Sequence, residues 1–177
     1  MVKCLVVYGS KYGSTAEVAA AVADGLGADL ANVAGHPDIR PYDVVVVGSP
    51  IYGGNYMQVV RDFIRSNKPL LSKRRVAAFI TAAATWDTPV GLTGDEDDGI
   101  FTQQEYADGL ARMTSGKVIE SRGFGGRLDP EALDEFDYGV LDWFYRYLMK
   151  RPLEGFDDID IAEAYRWGED LRAAVGA

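Results

Sequence analysis

Near the start of the chain, Gly9-Ser10-Lys11-Tyr12-Gly13-Ser14-Thr15 gathers three aliphatic hydroxyls, a cation and two glycines. It lies between an apolar run and a helix-like pattern. That composition suits an anion. Backbone N–H groups of a strand-to-helix loop, with the free first-turn amides of the helix, can surround a phosphate. Ser10, Ser14 and Thr15 would add hydroxyl donors, and Lys11 positive charge. Gly13 permits a turn that a larger side chain resists. The stretch does not end in the Gly-Lys-Ser/Thr of nucleoside triphosphate sites, nor does it read Gly-x-Gly-x-x-Gly, the dinucleotide pattern. The competing reading is an ordinary turn whose serines merely cap the helix.

Two further stretches carry residues fit for a planar ring. Gly48-Ser49-Pro50-Ile51-Tyr52-Gly53-Gly54-Asn55-Tyr56 joins a proline and a glycine pair to aromatics at a loop tip. An aromatic side chain can wall one face of a ring while backbone groups meet its polar edge. Tyr52 is the first candidate for the wall; Tyr56 can serve there or pack in the core. In Ala82-Ala83-Ala84-Thr85-Trp86, small residues allow close backbone approach, and Trp86 can cover a ring or anchor the loop that follows.

Other conspicuous residues carry less. Asp95-Glu96-Asp97-Asp98 lacks the alternation and the distant closing Glu of a calcium loop and reads as a solvated segment. His36 has no second histidine with which to form a metal pair. Cys4, the sole cysteine, sits inside an apolar run and reads as a small buried hydrophobe.

Elements that would position these stretches follow from periodicity. Apolar runs at Lys3–Tyr8, Val44–Val47 and Val76–Thr81 predict strands, with a weaker one at Ala28–Val33 and a fifth at Val118–Phe124. A helix follows the first loop, opened by a capping box from Ser14 to Glu17. Val59, Val60, Phe63 and Ile64 mark a second helix, and Thr102 with Glu105 caps a third. Asp129-Pro130-Glu131 reads as the opening of a fourth, running to about Lys150. A last helix spans about Ile159–Val175. Such alternation predicts one α/β domain over residues 1–177: a three-layer sandwich around a five-stranded parallel sheet of order 2-1-3-4-5. Ligands of such sheets bind beyond the carboxyl ends of the strands where the order reverses, which is where the three stretches fall.

With 177 residues, 47% hydrophobic and 25% charged, the chain can bury a core of its own. No apolar run is long enough to span a bilayer, and the N-terminus enters a strand without a secretory pattern. A cytoplasmic setting is expected. The net charge of −9 argues against a nucleic-acid partner.

The stretch YGSKYGSTAEVA resembles the FMN phosphate loop of the flavodoxin superfamily, commonly Ser/Thr-x-Thr-Gly-x-Thr; here it reads SKYGST, with Tyr12 at the third position. GSPIYGGNY is similar to the superfamily's Gly-x-x-x-aromatic-x-Gly loop. The third stretch lacks the acidic Gly-Asp pair of electron-carrier flavodoxins. GSPIYGGNYMQVVRDFI, and LDWFYRYLMKRPLEG with the acidic residues and Trp-bearing helix after it, resemble the branch that includes menaquinone-dependent protoporphyrinogen dehydrogenase. The resemblance implies a flavodoxin-like fold. It implies FMN held by Ser10, Lys11, Tyr12, Gly13, Ser14 and Thr15, by Ser49, Pro50, Ile51, Tyr52, Gly53 and Gly54, and by Ala83, Ala84, Thr85 and Trp86. It further implies hydride or electron transfer with a quinone-type acceptor, a porphyrinogen as one candidate substrate, and hence a place in heme biosynthesis. Alternatives are an electron carrier between redox proteins and a flavin-free binding module. A homodimer is compatible with either redox reading.

Trp143–Pro152 (WFYRYLMKRP) mixes large apolar and aromatic residues with Arg146, Lys150 and Arg151. It reads either as peripheral contact with a membrane's inner face or as a core-facing helix with basic ends in solvent.

Overall fold

A computed structural model describes residues 2–82, 90–91, 99–100, 102–148 and 150–177. Five parallel strands form its centre: β1 (Cys4–Tyr8), β2 (Asp29–Asn32), β3 (Val44–Tyr52), β4 (Arg75–Ala82) and β5 (Lys117–Gly125). Their order is β2-β1-β3-β4-β5, which is the expected 2-1-3-4-5. Register runs Leu5 to Asp29, Leu5 to Val45 and Val45 to Val76 across neighbouring strands. A bulge between Val76 and Ala77 shifts the pairing of β4 with the edge strand β5.

Strand alternation sorts the apolar side chains onto two faces. Cys4, Val6, Val44, Val46, Ala77 and Phe79 meet α1 (Ser14–Leu26) and α5 (Ile161–Val175). Leu5, Val7, Val45, Val47, Val76, Ala78 and Ile80 meet α2 (Gln58–Leu71) and α3 (Gln103–Met113). On the first face Phe79, Phe124 and Trp167 pack edge to face at centroid distances of 5.6–6.2 Å, the arrangement aromatic quadrupoles favour. Because β1, β3 and β4 are covered on both sides, their apolar runs are continuous rather than alternating.

Several expectations hold. Thr102 and Glu105 form the predicted capping box of α3, and Cys4 is buried. Val60, Phe63 and Ile64 bury one stripe of α2, whereas Val59 faces solvent. Others are corrected. Gly13, not Ser14, occupies the N-cap of α1, and no side chain caps it. β3 does not stop at Val47 but runs on to Tyr52 and folds back on Asn55–Tyr56 as a hairpin arm. Asp129 does not open a helix: its carboxylate accepts the Glu131 N–H at 3.0 Å in a local turn. The fourth helix, α4 (Glu135–Trp143), starts later, with Asp134 as its cap, and a π-type turn at Phe144–Leu148 continues it. Tyr145 in that turn is buried, but Trp143 and Tyr147 are exposed and α4 buries nothing. The core-facing reading of the stretch that begins at Trp143 therefore holds at Tyr145 but not at Trp143 and Tyr147, which no element among the described residues covers.

Residues 126–160 thus form an excursion between β5 and α5. Its neck is closed by antiparallel pairing of Arg127–Leu128 with Phe156–Asp157. A second short antiparallel pair joins Val90–Gly91 to Gly99–Ile100. Among the described residues no helix is long and apolar enough to cross a membrane.

Candidate functional site

The loop after β1 enters α1 through Gly13, whose φ of 98° is a left-handed conformation that side chains resist. Among the described residues other than its chain neighbours, no atom lies within 4 Å of where a Cβ on Gly13 would stand, so they leave the space above it open. The intrahelical ladder begins with the Glu17 N–H donating to the Gly13 carbonyl at 3.0 Å. Helix geometry therefore leaves the amides of Ser14, Thr15 and Ala16 without acceptors in the helix. An open glycine beside free first-turn amides fits a phosphate monoester.

The loop's side chains divide between structural and accessible roles. The Ser10 hydroxyl accepts the Gly13 N–H at 3.1 Å and shapes the turn. Thr15 is buried, with its hydroxyl 2.8 Å from that of Thr81 at the end of β4, which ties the helix start to the sheet. The Ser14 hydroxyl accepts the Arg127 N–H at 3.2 Å, and Glu17 pairs with the Arg127 guanidinium at 2.8 Å. These two side chains are captured by the excursion, which is why the predicted capping box does not form.

Lys11 and Tyr12 also face the excursion. Lys11 Nζ stands 2.7 Å from both Asp134 and Asp137. Hydrogen bonds to these two carboxylates, Asp134 first, push its pKa upward. The Asp137 amide and then Lys11 hold the Asp134 carboxyl below its usual range. Tyr12 donates its hydroxyl proton to Asp137, and burial followed by this bond raises its pKa. The aromatic at position 12 is therefore drawn toward α4.

The second stretch turns out to be a strand end rather than a loop. Pro50 is buried and pairs with Thr81, and Ile51 packs against the core on the α2 side. Ser49 is fully buried; its hydroxyl donates to the Pro50 carbonyl at 2.9 Å and accepts the Met57 N–H at 3.0 Å, clamping the hairpin to the start of α2. Gly53 and Gly54 have φ of 53° and 75°, which a two-residue hairpin turn of this hand requires. Tyr52 stands beside this turn, and its ring meets Tyr12 edge-on at 6.1 Å and 86°.

Tyr52 keeps 39% of its surface exposed, while its hydroxyl faces the main-chain amides of Lys11 and Tyr12. Enclosure of that oxygen, then Tyr12, pushes its pKa up to about 12, against the opposing pull of the two amides. Tyr56 instead donates to the Tyr106 carbonyl at 2.8 Å and packs edge-on against that ring. It serves the contact with α3. Ala83, Ala84, Thr85 and Trp86 lie outside the described residues, as do Asp95–Asp98.

The site thus brings together the first loop and the Tyr52 hairpin tip at the carboxyl ends of β1 and β3. Thr81, Arg127, Asp134 and Asp137 join it without having been expected from sequence. Asp134-Glu135-Phe136-Asp137 does carry a signal, because an Asp three residues before another acid is a helix-start pattern.

Comparison with known proteins agrees with this fold. The chain resembles a flavodoxin from the domain Archaea with a TM-score of 0.60 and 16% identity, over 99% of this chain and 100% of that one. It resembles the flavodiiron protein of Giardia intestinalis with a TM-score of 0.58 and 17% identity, over 98% of this chain but 36% of that one. The chain therefore spans about a third of the flavodiiron protein's length. A WrbA-like flavodoxin from Agrobacterium tumefaciens gives a TM-score of 0.55 and 19% identity, covering 99% and 96% of the two chains. At these identities the likeness shows the fold. No curated protein matches in sequence. The sequence profile described as flavodoxin domain matches residues 5–151, so the chain belongs to that family and its cofactor is FMN.

Proposed function

We propose that the protein is an FMN-dependent oxidoreductase that moves hydride or electrons from a reduced small molecule of the porphyrinogen class to a quinone-type acceptor. The carrying observation is the open Gly13 turn beside the free first-turn amides of α1, with the half-exposed Tyr52 ring standing next to Tyr12 of the same loop. When bound, the isoalloxazine ring supplies the redox chemistry. First-turn amides of α1 would hold the phosphate, with Ser10 and Thr15 fixing the loop that presents them. Tyr52 would wall one ring face with its exposed ring. Ala83–Trp86 would meet the ring from the end of β4. Support for the substrate class comes from the resemblance of the hairpin and the Trp143 region to the protoporphyrinogen dehydrogenase branch, and from the missing Gly-Asp pair.

An anaerobic assay of the FMN-loaded protein with protoporphyrinogen and a water-soluble naphthoquinone tests this reading. Each quinone takes two electrons and two protons and becomes a quinol while the porphyrinogen is oxidised. Porphyrin fluorescence should grow only when protein-bound FMN and quinone are both present. If no porphyrin forms while the bound FMN exchanges electrons with redox proteins, the chain is an electron carrier, a reading supported by its likeness to the archaeal flavodoxin.

A further inference from the structure

Helix α4 contains no buried residue although it is nine residues long, and so short a helix gains its stability from a packed face rather than from its own hydrogen bonds. Its polar edge is held by Lys11 and Tyr12 through Asp134 and Asp137. Its apolar face is bare: Phe136, Val140, Trp143 and Tyr147 are 77, 48, 55 and 60% exposed. They are four, three and four residues apart, the alternation that forms a seam between two packed helices. Glu135, Phe136, Gly139, Val140 and Trp143 line a shallow groove along it.

We propose that a second copy of this chain covers that face, through antiparallel two-fold pairing of α4 and the turn that follows it. Charge selects the occupant. Glu135, at the N-terminal end of the face, belongs to none of the ion pairs among the described residues, and Lys150 at the other end is likewise without one. Arg151, beside Lys150, lies over the Tyr145 ring. Between the two ends, Arg146 is neutralised by Asp142 at 2.8 Å.

An antiparallel copy therefore sets acid against base at both ends of the seam, whereas a parallel one sets like against like. The same alignment places Phe136 opposite the second copy's Tyr147 and Val140 opposite its Trp143, because both pairs centre between residues 141 and 142. An anionic lipid surface would instead leave Glu135 against like charge, where a second copy offers Lys150. The four side chains offer on the order of 500 Å² of apolar surface a side, or about 1,000 Å² in the pair. That lies at the low end for protein interfaces, where weak and transient associations fall.

Sedimentation velocity of the full chain from low to high micromolar concentration tests the pairing. The wild type should pass from monomer to dimer. Trp143→Glu should stay monomeric with an unchanged far-UV circular dichroism spectrum, since no core contact is lost. Glu135→Lys and Lys150→Glu should each weaken association, and the two together should restore it. A wild type that stays monomeric, a Trp143→Glu variant that still dimerises, or charge changes that do not compensate would overturn the proposal. So would a monomeric wild type that cosediments with phosphatidylglycerol vesicles, which would assign the face to a membrane.

Discussion

Tyr52 has two separable parts, and the site uses each differently. Its ring is half open beside the Gly53-Gly54 turn, while its hydroxyl faces the Lys11 and Tyr12 amides. Removing the ring should weaken FMN binding, because a lost aromatic contact and its buried area amount to about a tenfold to hundredfold change in affinity. Removing only the hydroxyl should leave affinity unchanged, since it does not occupy the first-turn amides of α1. Fluorescence titration with FMN of Tyr52→Ala and Tyr52→Phe distinguishes the parts. Equal losses in both variants would show that the hydroxyl, rather than the ring, contacts the cofactor.

The excursion of residues 126–160 sets the electrostatics of the loop after β1. Lys11 sits between two carboxylates, so these three groups together present one net negative charge to an incoming dianion. Asp137→Asn should leave Lys11 paired with Asp134 but remove one negative charge beside the loop, and so tighten FMN binding about threefold to tenfold at low salt, with the gain shrinking as salt is added. Calorimetry at two ionic strengths checks this. A weaker complex would mean that the hold of Asp137 on Tyr12 shapes the cradle more than its charge opposes the ligand.

Legibility of these elements follows the range of the forces that form them. The buried strands β1, β3 and β4 are readable because a continuous apolar run reports its own burial, and the Thr102–Glu105 box closes within one turn. The Ser14–Glu17 box misleads because Arg127, more than a hundred residues away, takes both side chains. Asp129 and Asp134 both look like helix caps, and the neck pairing of Arg127–Leu128 with Phe156–Asp157 decides between them. The end of β3 is hidden because Pro50 and the glycine pair read as a loop. In the fold Pro50 is a buried strand residue, and the turn lies only at Gly53-Gly54.

The strand order, the two-sided core and the match over residues 5–151 describe a flavodoxin-domain protein, and the proposed binding edge lies at the ends of β1 and β3. Its acidity makes phosphate binding a demanding test, because long-range charge opposes the ligand and local amides must outweigh it. Calorimetric titration of the protein with FMN and, separately, with riboflavin isolates that local contribution, since the two ligands differ only by the phosphate. Charge-assisted bonds from the α1 amides predict FMN tighter than riboflavin by about a hundredfold or more. Equal affinities, or riboflavin the tighter, would contradict the cradle.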